Sequence, residues 1–155
     1  MALRRSLGMR NAKNNAGFKP TMDLGVLEIW SGSQPASAED AESGSVLVRI
    51  TDASATYTET GAGTNGLTFA SGTGGAISKT AAQVWSGAAS ATGTAGWFRF
   101  YAKAYDVGVD SGDESFVRMD GQVGTSGAQL NLHSLSIVSG ATTTIDQFTL
   151  TDPES

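Results

Sequence analysis

Asp106, Asp110, Asp113 and Glu114 fall within nine positions, a cluster of carboxylates that could chelate a hard cation such as Ca²⁺. Their spacing does not match an EF-hand loop, and Gly108 and Gly112 between them give the composition of a solvated turn. Gly61, Gly63 and Gly66 spell the dinucleotide fingerprint, whose chemistry needs a strand before the loop and a helix N-terminus after it. Here Leu67, Thr68 and Phe69 continue in β-type residues and Gly72, Gly74 and Gly75 exclude a helix, so the glycines read as a hairpin loop. His133 is the only histidine, and Ser134 and Ser136 stand too near it in sequence to act as its nucleophile. One imidazole among carboxylates is also a poor zinc set. His133 therefore reads as an outward residue of a polar face. Glu28, between Leu27 and Ile29, is the best single general-acid candidate, but no second carboxylate is placed beside it by any motif. The residues predict no enzyme, no metal and no cofactor.

The elements that must position these residues are short and β-rich. Twenty Gly against three Pro, with only 16% charged residues, describe many turns joined by strands. Val26, Leu27, Ile29 and Trp30 form one β-type run, and Val46, Val48 and Ile50 alternate with Leu47, Arg49 and Thr51 in another. Between them, residues 36–44 are polar and acidic and read as a loop with one helical turn over 37–41. Residues 92–104, centred on Trp97, Phe98, Arg99, Phe100 and Tyr101, make the strongest strand, and its aromatic density predicts a central place in the sheet. Phe116 to Met119 alternate toward a predicted turn at Asp120 and Gly121. Leu130 and Leu132, Leu135 and Ile137, and then Ile145, Phe148 and Leu150 supply further short strands, with Gly140 closing a hairpin. The fold class this predicts is all-β: an antiparallel β-sandwich, jelly-roll-like, spanning residues 23–155. Trp30, Trp85 and Trp97 could build a sugar-binding platform, but their apolar and β-branched neighbours place Trp97 and Trp30 in the core.

The charges are unevenly spread. Arg4, Arg5, Arg10, Lys13 and Lys19 occupy the first twenty residues with no acid among them, whereas residues 21–155 carry five cations against all fifteen acids. A basic segment on an acidic body reads as a docking arm, residues 1–22, ordered by a partner because so few apolar residues cannot order it alone. Leu3, Leu7 and Arg10 stand at helical spacing, so residues 3–13 are expected to form a short helix on that partner. The body is too acidic to attract nucleic acid or an anionic membrane through its overall field. No apolar run approaches the length of a membrane span, and no apolar stretch follows Arg4 and Arg5 as a secretory signal requires. The absence of cysteine excludes disulfides and fits assembly in a reducing cytoplasm.

Residues 25–36 (GVLEIWSGSQPA), 91–99 (ATGTAGWFR) and 120–128 (DGQVGTSGA) resemble a family of small structural proteins of tailed bacteriophages. Leu130, Leu132, Ile137, Gly140 and residues 145–150 (IDQFTL) fit the same pattern, so the resemblance covers most of residues 25–151. Members of that family also begin with an Arg- and Asn-bearing arm. Between Phe100 and Phe116 this chain carries a longer loop than they do. The resemblance implies a virion component made in the host cytoplasm: a capsid decoration (cement) or head-associated protein, homo-oligomeric, whose arm contacts the major capsid protein. The alternatives are a neck, collar or tail subunit that anchors fibres, and a virion-surface carbohydrate-binding module using Trp30 or Trp85. A cell-wall hydrolase ranks last. The family supplies no catalytic residues.

Overall fold

The structure, a computed structural model, describes residues 3–6, 9, 17–58, 63–103 and 117–151. Its strands are β1 (Arg4–Arg5), β2 (Val26–Ser31), β3 (Val46–Asp52), β4 (Ala76–Ser78), β5 (Trp85–Ala88), β6 (Gly93–Tyr101), β7 (Arg118–Gly124), β8 (Leu130–Asn131), β9 (Ser136–Ile137), β10 (Thr142–Ile145) and β11 (Thr149–Thr151). One described helix, α1 (Phe18–Met22), precedes β2. The larger sheet runs β1-β7-β6-β2-β3-β5-β10, with β8 added parallel to β7 and β9 antiparallel to β6. A second sheet, β11-β4, packs against it, so the chain is an all-β sandwich.

Period-two alternation assigns each strand's two faces. On β6, Phe98 and Phe100 enter the core between the sheets, with Leu27 and Ile29 of β2, Val48 and Ile50 of β3, and Met119 and Val123 of β7. Phe69 and Phe148 come from the opposite layer and interleave with them. Phe69 lies 5.4 Å from Trp85 and 5.6 Å from Phe100, centroid to centroid, and Phe148 meets Phe98 edge-on at 5.5 Å. Offset and edge-on contacts of this kind place ring edges against ring faces, adding about 0.5–1.5 kcal/mol per pair beyond burial.

Three sequence expectations fail locally. Asp120 and Gly121 lie in the middle of β7 rather than in a turn, Asp120 opposite Arg99 and Gly121 opposite Phe98. A Cβ on Gly121 would collide with the Phe98 ring, so glycine is required here by a close approach and not by a bend. Arg4 and Arg5 form a strand, not the start of a helix, because the open edge of β7 offers them backbone partners: Arg4 opposes Asp120 and Arg5 opposes Met119. The loop over residues 36–44 contains a turn closed by the Asp40 N–H on the Ser37 carbonyl at 3.1 Å, and no helix.

Candidate functional site

The outward face of the larger sheet holds most of the buried charge. The strand alternation that sends Phe98 and Phe100 inward sends Trp97, Arg99 and Tyr101 the other way, beside Glu28 of β2 and Arg118 and Asp120 of β7. This face is not solvated, because residues 32–45 fold back over it as a strap. The base of the strap is closed twice, by the Ser31 N–H on the Ser45 carbonyl at 2.9 Å and by the Ser43 hydroxyl on the Ser33 carbonyl at 2.7 Å. At its root, Gly96 of β6 has no room for a side chain, since a Cβ there would enter the carbonyl of Gly32.

Two guanidinium groups grip the strap by its main chain. Arg118 donates through Nε to the Ala38 carbonyl and through Nη2 to the Glu39 carbonyl at 3.2 Å. Arg99 donates through Nη2 to the Asp40 carbonyl at 3.0 Å, and the Trp97 indole N–H reaches the Ser43 carbonyl at 3.1 Å. Arg99 also makes a bidentate pair with Asp120, Nε to Oδ1 at 2.6 Å and Nη2 to Oδ2 at 2.7 Å, and its Nη1 lies 3.0 Å from Glu42 Oε1. Its guanidinium stands 5.3 Å from the centre of the Trp97 ring. Glu42 Oε1 accepts the Tyr101 hydroxyl proton at 2.8 Å. Arg99, Arg118 and Asp120 are completely buried. A planar fork of five donors suits this role, satisfying a carboxylate and a carbonyl at once where an ammonium would leave geometry unmet.

The electrostatics follow from burial against pairing. Burial works against the Arg99 charge, but the hydrogen bond and charge of Asp120 outweigh it and raise the guanidinium above its ordinary value. Burial pushes the Asp120 carboxyl up, and Arg99 offsets that only in part. Burial also pushes the Tyr101 phenol up, reinforced by the charges of Glu28 and Glu42. The network holds positive guanidinium groups against carboxylates and carbonyls and keeps the phenol neutral. Its chemistry is cohesion of the strap.

The residues expected to dock the protein lie on the chain's own body wherever they are described. Beyond the β1 pairing, Arg4 Nη1 donates to the Pro35 carbonyl of the strap at 3.2 Å. Ser6 and Met9 are fully buried, joined by the Met9 N–H on Ser6 Oγ at 3.0 Å, and Leu3 packs on the core. Lys19 on α1 is committed to Asp23 Oδ2 at 2.5 Å and to the Phe69 carbonyl at 2.6 Å. Asp23 in turn accepts the Phe69 N–H at 2.9 Å, so Lys19 and Asp23 together moor α1 to the opposite layer. Arg10 and Lys13 lie outside the described residues, as does the acidic cluster Asp106, Asp110, Asp113 and Glu114.

The remaining candidates are dispersed. Glu28 is buried and paired with Arg49 Nε at 3.1 Å. His133 is 88% exposed, as its outward reading predicts, and meets Asp146 Oδ2 at 2.5 Å, while the Ser134 hydroxyl accepts the Ser136 N–H. Gly63 and Gly66 close a turn beside the Thr58–Thr64 bridge, next to Leu24, consistent with a hairpin. Trp85 and Trp97 are fully buried, and Trp30, half-buried, stacks on Trp97 at 5.6 Å with 20° between planes. Among the described residues no group of three or more His, Asp or Glu is placed to hold a metal ion, and no helix is long and apolar enough to cross a membrane. The strap network itself was not anticipated. An arginine in the middle of an aromatic strand was its one visible signal, because a buried charge demands a partner. Comparison with protein-family models, with curated proteins and with solved structures finds no match to this chain.

Proposed function

We propose that this protein is a structural subunit of the virion of a tailed bacteriophage, a decoration or head-associated protein that contributes to the stability of the shell. The observation that carries the reading is where the family-like segments fall. Residues 25–36, 91–99 and 120–128 become β2, β6 and β7, adjacent in the sheet, together with the first part of the strap locked over them. These three segments thus fall on one contiguous unit of the fold. The described buried charges of that unit hold the fold together: Arg99 with Asp120 and Glu42, Arg118 with the strap carbonyls, and Glu28 with Arg49. A subunit of a lattice needs such a fixed body, since each exposed charge contact with a neighbour is worth only about 0–1 kcal/mol and many must act in register.

Basic residues near the N-terminus remain the contact for the major capsid protein in this reading, now as part of a surface formed by β1 and the strap. Quantitative mass spectrometry of purified particles tests it by copy number relative to the major capsid protein. A ratio near one per capsid subunit, or one per three, supports a decoration protein on the lattice. A few copies per hundred capsid subunits moves the protein to the neck or tail, and absence from particles overturns the virion reading.

A further inference from the structure

The two ends of the larger sheet are built differently. At one end the terminal strand β1 is two residues long and consists of Arg4 and Arg5, a short charged edge of the kind that resists further pairing. At the other end the terminal strand β10, Thr142–Ile145, has no charge, no proline and no bulge against its neighbour. Among the described residues no strand pairs with its outer side, and a groove of about 300 Å³ lies along it, with Thr142, Thr143 and Thr144 on one wall and His133, Ser136 and Ile137 among the residues on the other.

The surroundings of this edge are unlike the rest of an acidic chain. Residues 80–98, which include β5, and residues 134–145, which include β9 and β10, contain no Asp, Glu, Lys or Arg. The exposed large hydrophobic side chains among the described residues, Val84 at 56% and Val138 at 53%, lie immediately before β5 and immediately after β9. An uncharged sheet end with an open edge, flanked by two exposed valines, is the part of the described surface best suited to strand addition.

We propose that β10 is the seam at which a second copy of this chain adds, antiparallel, through its own β10. The charge distribution selects the occupant. Two acidic bodies repel wherever their carboxylates approach; residues 134–145 carry none, and Asp146, which follows β10, is paired with His133. The backbone parity also fits a two-fold seam. The Ala89 N–H donates to the Ala141 carbonyl at 2.9 Å, and Thr142 to Ile145 continue in register with Ala88 to Trp85. Antiparallel alternation then directs the backbone groups of Thr143 and Ile145 to β5 and those of Thr142 and Thr144 outward. A two-fold axis at Thr143 sets Thr142 of one copy against Thr144 of the other, twice, giving four inter-chain hydrogen bonds. It also sets Thr143 against itself in the close, non-hydrogen-bonded pairing.

The absence of cysteine makes this directly testable with the full-length chain. Thr143→Cys is expected to form a disulfide-linked dimer on mild oxidation, since the close pairing brings the two Cα atoms within disulfide range. Ser126→Cys, in the exposed turn after β7, is expected to remain unlinked. In analytical ultracentrifugation the wild-type chain should sediment as a dimer and Thr144→Pro as a monomer. Proline there removes an outward N–H and leaves the ladder to β5 intact. A wild-type monomer at every soluble concentration overturns the proposal. So does a dimer that Thr144→Pro leaves unchanged, or one that Thr143→Cys fails to cross-link. These measurements use the isolated protein, so their failure is separate from failure of the virion reading.

Discussion

Asp120→Ala tests the strap network at its most buried point. The substitution removes both carboxylate oxygens that Arg99 contacts, at 2.6 and 2.7 Å, and leaves a guanidinium with no solvent access. Removing one member of a buried pair typically costs about 3–5 kcal/mol, because the surviving charge stays buried without its partner. Glu42, 3.0 Å from Nη1 and itself 13% exposed, retains part of the compensation and brings the expectation to the lower end, about 3 kcal/mol. For a chain of this size, that is a fall in melting temperature of about 6–12 °C. Thermal unfolding followed by tryptophan fluorescence reads it directly. The second readout is local: limited proteolysis should cut residues 36–44 faster in the variant, since Arg99 also holds the Asp40 carbonyl. The double variant Arg99→Met with Asp120→Leu removes both charges and should cost less than Asp120→Ala alone. A melting temperature for Asp120→Ala within about 2 °C of wild type, corresponding to under 1 kcal/mol, would refute the assignment of Asp120 as the principal counter-ion.

Three further expectations follow from the same face and the core beneath it. The folded state raises the Tyr101 pKa above its ordinary value of 10.0, so the stability linked to this phenol is intact below that pH and is lost as pH rises beyond it. In an alkaline titration the Tyr101 phenolate absorbance should appear only with cooperative unfolding; smooth ionisation of all three tyrosines near pH 10 in a folded chain would contradict this. Trp97→Ala should cost about 3–5 kcal/mol in a denaturant titration, with the lost Ser43 contact adding to the cavity, and unchanged stability would make Trp97 a surface residue. Gly96→Ala should cost about 1–3 kcal/mol by forcing the strap root off the sheet, and a neutral melting curve would show that Gly32 moves aside freely.

The fold class was legible because alternation is a local property. Val46, Val48 and Ile50, and the aromatic run from Trp97 to Tyr101, declared their strands without reference to anything distant, and both lie inside the sheet. Gly140, with φ at 83°, closes a turn between β9 and β10 but not the hairpin expected there, because β9 pairs with β6 and β10 with β5. Asp120 and Gly121 misled for a physical reason. Their turn preference is a local tendency worth about a kilocalorie, and here it is overridden by an arginine and a phenylalanine about twenty residues earlier in the chain. The helix expected from residue 3 failed at Arg4 and Arg5 for the same reason, since the edge of β7 that receives them lies more than a hundred residues away in sequence. The polar, acidic composition of residues 36–44 marks a loop, but its attachment depends on side chains from β6 and β7 pairing with its carbonyls. No sequence period records such a contact.

The manner of that attachment has a practical consequence. Arg99 and Arg118 take hold of the carbonyls of Ala38, Glu39 and Asp40, groups every amino acid carries, so the grip depends on the course of the main chain more than on which side chains it bears. Ala36 and Ala41 point to solvent on either side of the held carbonyls. Foreign peptides grafted beside Ala41 would therefore be presented on a loop clamped at both ends, which makes this position a natural site for epitope display on the protein.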